Sequence, residues 1–125
     1  MNSKVFMVVR ILLGLFVIIF GANKIYPFLP APEEMPEGMM TYFTGLTMSK
    51  TLILVGLVEV LAGISFILNK YGALMAIILM SVSVCAVLFH LTMAMESIAP
   101  ALALLILNIV VLVGYKDRYK DILRP

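Results

Sequence analysis

Apolar residues run in four long blocks separated by short polar breaks. VFMVVRILLGLFVIIFGANKIY, about residues 5–26, stops ahead of Pro27, and TLILVGLVEVLAGISFILN covers about 51–69. GALMAIILMSVSVCAVLFHLTMAM, residues 72–95, follows the Lys70-Tyr71 link, and a fourth block runs from about 98 to 115. Unbroken apolar length of this kind predicts helices, because the strands of a membrane barrel alternate and are much shorter. Each block is long enough to cross a hydrocarbon core of about 30 Å. The pattern therefore predicts an all-α, four-helix integral membrane bundle forming one domain over residues 1–125. Ser49 and Ser97 stand where N-caps of the second and fourth helices would fall, with Pro100 tolerated in a first turn.

The stretch between the first two blocks, residues 27–48, has a different pattern. Pro27, Pro30, Pro32 and Pro36 predict extended backbone. From Glu37 onward, Met39, Tyr42, Phe43 and Leu46 recur at helical spacing, which predicts a short amphipathic helix lying on one end of the bundle. Both an interfacial cap and a lid over a ligand entrance fit that pattern.

Composition agrees with a lipid environment. The chain is 63% hydrophobic and 13% charged, whereas soluble domains carry about twice that share of charge. A net charge of +2 is too small to suggest a nucleic-acid partner. Its distribution is more informative. Lys4, Arg10, Lys70, Lys116, Arg118, Lys120 and Arg124 gather at one end, and Glu33, Glu34, Glu37 and Glu96 at the other. Lysine and arginine mark the cytoplasmic side, so both termini are expected to be cytoplasmic, in the inner membrane. Arg10 interrupts the first block and Phe20-Gly21-Ala22 is a poor cleavage site, so that block reads as a span rather than a signal peptide.

Candidate redox chemistry is narrow. Cys85 is the single cysteine and His90 the single histidine, too few to hold haem, an iron–sulfur cluster or copper within one chain. No HExxH, GxSxG, phosphate-loop or dinucleotide fingerprint occurs. No metal site, bound cofactor or self-contained catalytic motif is therefore expected, and the chain is at most a subunit of an oxidoreductase. The ten methionines, scattered over apolar faces, read as packing.

The few polar residues share faces with small ones. At 100° per residue, Arg10, Gly14, Val17, Gly21 and Lys24 fall on one stripe of the first helix. Leu52, Gly56, Glu59 and Gly63 form another, followed by Gly72, Ala76, Ser83, His90 and Ala94, and by Ser97, Ala101, Asn108 and Tyr115. Small residues let helices approach closely, so these faces are expected to point inward. A carboxylate alone in hydrocarbon costs at least about 3 kcal/mol, so Glu59 needs a partner. Counted from the cytoplasmic ends, Arg10, Asn108 and Glu59 lie about 8, 10 and 15 Å deep. Arg10 is accordingly expected to pair with Glu59, with Asn108 completing a deep triad. Lys24 and His90 lie about 28 Å along and form an outer layer. There they are expected to line a pocket roofed by Met39, Tyr42 and Phe43, with two donors suited to a carbonyl, a carboxylate or a lipid headgroup.

Arg10 with Gly14, then FGANK (Phe20 to Lys24), EVLAG (Glu59 to Gly63) and His90 on the third span resemble the DoxX-like family of small four-helix membrane proteins. The resemblance covers roughly residues 7–115, with Arg10, Gly21, Lys24, Glu59 and Gly63 matching by position. The family takes its name from a subunit associated with a terminal quinol oxidase. Relatives accompany thiosulfate:quinone oxidoreduction and oxidative-stress complexes, and others are assembly chaperones of membrane receptors. The resemblance implies a quinone-interacting or lipophilic-ligand-binding accessory subunit of a redox complex. Ligand contacts would come from Lys24, His90, Glu59, Arg10 and Asn108, and pocket walls from Gly21, Gly56, Gly63, Met39, Tyr42 and Phe43. The expected partners are the lipid bilayer, a quinone or lipid and redox-enzyme subunits, with a homo-oligomer left open. The competing expectation is a non-catalytic assembly or scaffold protein whose buried polar residues only pair helices.

Overall fold

The computed structural model describes residues 1–30 and 34–125, and among these every regular element is helical. Four helices carry the apolar blocks: α1, Ser3–Ile25; α3, Thr51–Leu68; α4, Gly72–Met93; and α5, Ala99–Gly114. The amphipathic helix of the 27–48 stretch is α2, Glu37–Met48. Pro32 and Glu33, part of the expected extended segment, lie outside the described residues. Short 3-10 turns follow α4 at Met95–Ser97 and α5 at Lys116–Tyr119.

The four long helices form an up-and-down ring in which α1 packs on α3, α3 on α4, α4 on α5, and α5 back on α1. Helices α1, α3 and α4 are each long and apolar enough to cross a membrane, and α5 is a shorter apolar helix. Inside the ring lie Leu13, Val17, Ala62, Phe66, Ala76, Leu79, Leu104 and Val111. Outside it, Leu12, Leu15, Leu57, Leu61, Leu88 and Ile106 are each around half exposed. A surface this apolar is untenable in water and ordinary against lipid tails. The polar side chains Arg10, Glu59, Ser83 and Asn108 are instead buried, as the inward stripes require.

The tightest seam is α1 against α3. Gly14 meets Gly63, and Gly21 meets Gly56, at backbone distance. A Cβ on Gly21 would stand 2.8 Å from the Gly56 carbonyl oxygen, and one on Gly56 would stand 2.7 Å from that of Gly21. Real carbon atoms do not come so close to a backbone oxygen, so hydrogen is the largest substituent that fits. In lipid, where no hydrophobic effect drives helices together, this close van der Waals contact is the source of adhesion.

Two capping expectations are corrected. Ser49 is the C-cap of α2, and α3 begins instead after Lys50 in the left-handed region at φ 65°. Ser97 does not cap α5, whose N-cap is Ile98. The Ser97 hydroxyl is taken by the Ala94 carbonyl, 3.2 Å away, because the 3-10 turn folds it back over α4. At the other end of the bundle, Tyr119 donates to the Ala73 carbonyl at 3.1 Å, joining the C-terminal turn to α4. Burial pushes this phenol above its ordinary range, with Tyr115 adding to the shift, so it stays a neutral donor.

The seam gives a direct test. Gly56→Ala must force two backbones apart and is expected to destabilise the bundle by about 1–3 kcal/mol, the usual range for overpacking. Gly45→Ala, whose Cβ would meet nothing within 4 Å, should be neutral or gain up to about 1 kcal/mol from helix propensity. Unfolding of the detergent-solubilised variants measures both, and equal effects would contradict the close seam.

Candidate functional site

Glu59 finds its counter-charge in Lys24, not Arg10. The Lys24 Nζ lies 2.6 Å from Glu59 Oε1, with the carboxylate side chain 1% exposed and the lysine 29%. The glycine contacts explain this correction. Carrying their register along both helices, Lys24 comes level with Ile53, six residues from Glu59, and Arg10 level with Ile67, eight residues away. Side-chain direction then decides. Helical side chains lean toward their own N-terminus. In this antiparallel pair Lys24 and Glu59 therefore lean toward each other, whereas Arg10 and Glu59 lean apart. Depth alone, counted from helix ends, misses the sign of that tilt.

Arg10 does something else. Its Nη1 donates to the Phe66 carbonyl and, at 3.4 Å, to the Ile67 carbonyl. These belong to the last turn of α3, where carbonyls lack intrahelical donors and the helix end is partially negative. The carbonyl of Ser65 is satisfied by the backbone of Lys70 at 3.0 Å, so arginine and chain divide the C-terminal orphans between them. The guanidinium also stands 5.8 Å from the Phe6 ring centroid.

Asn108 also leaves the expected triad. It donates to the Ala76 carbonyl at 3.1 Å and accepts from the Ser83 hydroxyl at 2.7 Å. Both partners are on α4, Ser83 about as far from the α4–α5 turn as Asn108 itself and Ala76 two turns further along. Asn108 and Ser83 are fully buried, and together they bind α5 to α4.

The outer layer does converge. A cavity of about 410 Å³ sits between α3 and α4 beneath α2, and its lining includes Lys24, Glu59, His90, Tyr42 and Phe43. Most of the remaining wall is aliphatic or aromatic. Tyr42 stacks on Phe89 with ring centroids 5.2 Å apart, and Phe43 meets the same ring edge-on at 5.3 Å. These rings make α2 the roof. The cavity is elongated: on α4 its wall runs from Ser81 to His90, about 13 Å of helix. Glu59 marks the deep end and His90 the end under the roof.

Six of the expected site residues lie elsewhere. Arg10 and Asn108 serve helix joints away from the cavity. Gly21, Gly56 and Gly63 are consumed in the α1–α3 seam, where touching backbones leave no volume. Met39 is buried, but the first turn of α2 lies beside Met93 at the end of α4, past the cavity wall. The sequence reading also missed contributors. Phe89 is the platform for the roof, its signal being the aromatic neighbour of His90. Cys85 lines the wall with its side chain exposed. Ala94 and Ser97 hold the imidazole: His90 Nδ1 lies 3.1 Å from the Ala94 carbonyl oxygen and 3.2 Å from the Ser97 hydroxyl. Among the described residues no group of three His, Cys, Asp or Glu side chains could hold a metal ion.

The ion pair is open to a double-mutant cycle. Lys24→Met, which strands a carboxylate in an apolar wall, should cost about 3–5 kcal/mol. Combining it with Glu59→Leu should recover a large part of that loss, giving a coupling of about 1 kcal/mol or more. Arg10→Met and Glu59→Leu should simply add. Unfolding in detergent reads all the terms, and coupling of Glu59 to Arg10 rather than to Lys24 would contradict the geometry.

Comparison with known proteins gives one result. No curated protein and no solved structure matches the chain. The family model for DoxX matches residues 5–94, from α1 through the end of α4, with the Lys24–Glu59 pair and His90 inside the match and Asn108 beyond it. That match covers well over half of the 125 residues, and the chain belongs to the DoxX family.

Proposed function

We propose that this membrane protein is a quinone-interacting or lipophilic-ligand-binding accessory subunit of a membrane redox complex. The supporting observation is the 410 Å³ cavity, which joins an apolar wall and aromatic roof to the Lys24–Glu59 pair and His90. Cavities of this size, mostly apolar with a few convergent polar groups, suit small ligands. Lys24 has three N–H donors, and its contact with Glu59 leaves others for a ring carbonyl. One histidine and one cysteine are too few to ligate haem, an iron–sulfur cluster or copper within one chain, so the chain would hold or hand on a quinone for a partner to reduce or oxidise.

A scaffold reading draws on different residues. Arg10 on the end of α3, and Asn108 with Ser83, join helices and line no cavity. An assembly protein needs such joints and no ligand. The cavity is what separates the two readings, because an apolar chamber roofed by α2 and opening on His90 as well as the α1–α3 ion pair is nothing a helix joint needs.

The test is binding by the purified chain in lipid nanodiscs. A short-tailed benzoquinone is expected to raise the melting temperature, and Lys24→Ala with His90→Ala together should abolish the shift. An unchanged shift in the double variant would remove Lys24 and His90 from the binding site, and none in the native chain would favour the scaffold reading.

We also propose that both termini face the cytoplasm in the inner membrane. Lys4, Arg10, Lys70 and the basic C-terminal residues lie at the end carrying the termini, while Glu34, Glu37 and Glu96 lie at the other. A tag on either terminus should be inaccessible to protease from outside intact cells; cleavage there would reverse the orientation.

A further inference from the structure

His90 is held by its Nδ1, and the partner decides which way round its proton sits. A carbonyl oxygen accepts hydrogen bonds and cannot donate, so Nδ1, 3.1 Å from the Ala94 carbonyl, must carry the hydrogen. The Ser97 hydroxyl is consistent: it donates to the same carbonyl at 3.2 Å and offers its oxygen to Nδ1 at 3.2 Å. In the neutral ring the remaining nitrogen, Nε2, is then a bare acceptor. His90 lines the cavity at its roofed end together with Tyr42 and Thr51, and of these three side chains only the neutral imidazole offers an acceptor that carries no hydrogen.

The deep end is more permissive. There the Lys24 ammonium can donate and the Glu59 carboxylate can accept. Glu59 is 1% exposed, and apart from the Lys24 contact its Oε1 has no hydrogen-bond partner among the described residues. A buried carboxylate oxygen with a single neighbour has capacity left for a hydroxyl. Both ends open on the same cavity, His90 held beneath the roof by Ala94 and Ser97 and Glu59 below it.

We infer that the cavity is built for the hydroxylated, reduced form of its ligand: a para-dihydroxy aromatic ring, with one hydroxyl donating to His90 Nε2 and the other held between Lys24 and Glu59. The inference rests on the proposed ligand-binding function and adds the redox form. A quinone satisfies the deep end through Lys24 but sets a carbonyl oxygen against the bare Nε2, two acceptors with no hydrogen between them. A hydroquinone satisfies both ends. A protein of this kind retains the reduced ring and releases the oxidised one. It would therefore stand beside a reaction that either delivers hydroquinone to the membrane or consumes it. No bond is made or broken in the cavity itself.

The experiment compares three ligands with the same tail on the full chain in nanodiscs under anaerobic conditions: a benzoquinone, its hydroquinone, and the hydroquinone dimethyl ether. The hydroquinone is expected to bind at least about tenfold tighter than the other two, since a site built around a hydroxyl discriminates against analogues lacking it. His90→Phe should remove most of that preference. Quinone binding as tightly as hydroquinone, or more tightly, would overturn the inference and leave the ligand-binding function standing. Failure of all three to bind would overturn both. Independently of any variant's folding, the 15N spectrum of the unliganded protein should show His90 as the Nδ1–H tautomer, and an Nε2–H tautomer would overturn the inference.

Discussion

Backbone contact between α1 and α3 is the constraint on which the rest depends. Two glycine pairs, Gly14 with Gly63 and Gly21 with Gly56, bring the helices to van der Waals distance. That contact sets their register, and the register selects the partner of Glu59, the carboxylate buried in the apolar interior. Had the helices slid by two turns, Glu59 would come nearer Arg10, and the C-terminal carbonyls of α3 would lose their cation. Close approach, helix capping and charge pairing are three consequences of one seam.

The polar interior divides by depth into joints and a site. At the end bearing the termini, Arg10 satisfies α3 carbonyls and Tyr119 reaches the Ala73 carbonyl. Midway, Asn108 and Ser83 bind α5 to α4. Asn108, Ser83 and Tyr119 are consumed within the protein, and a polar group so satisfied is available to no ligand; Arg10 keeps a buried Nε without a partner, but lines no part of the cavity. Toward α2 the groups are left with capacity to spare: a half-satisfied carboxylate, a partly exposed ammonium and an imidazole tied by one nitrogen only. Around them the wall is apolar and the roof aromatic. Spare hydrogen-bonding capacity in an apolar cavity is a physical signature of a binding site, and among the described residues it is found beneath α2.

Much of this was legible in the sequence. Four apolar runs bounded by Pro27, the Lys70-Tyr71 link and Ser97 placed the long helices to within a residue or two. The spacing of Tyr42 and Phe43 located α2 and its inward face. The stripes of small and polar residues were inward, as Arg10, Glu59, Ser83 and Asn108 show. The DoxX-like motifs agree with the family to which the chain belongs. Partner choice was not legible from depth, because a one-dimensional count carries neither helix register nor the lean of a side chain toward its N-terminus. With the GxxxxxxG spacing in α1 and in α3 taken as facing pairs, Lys24 would have emerged. The Ala94 carbonyl that orients His90 was out of reach, since a backbone oxygen leaves no mark in sequence.

The most direct test of this account is the identity of the group against Glu59. Solid-state NMR of the chain in lipid bilayers, with 13C in the Glu59 carboxyl and 15N in lysine Nζ, measures their dipolar coupling. The 2.6 Å contact between Lys24 Nζ and Glu59 Oε1 predicts a strong coupling that vanishes in Lys24→Met and is unaffected by Arg10→Met. A coupling of the Glu59 carboxyl to arginine side-chain nitrogen instead, with none to lysine, would contradict the register on which the site is built.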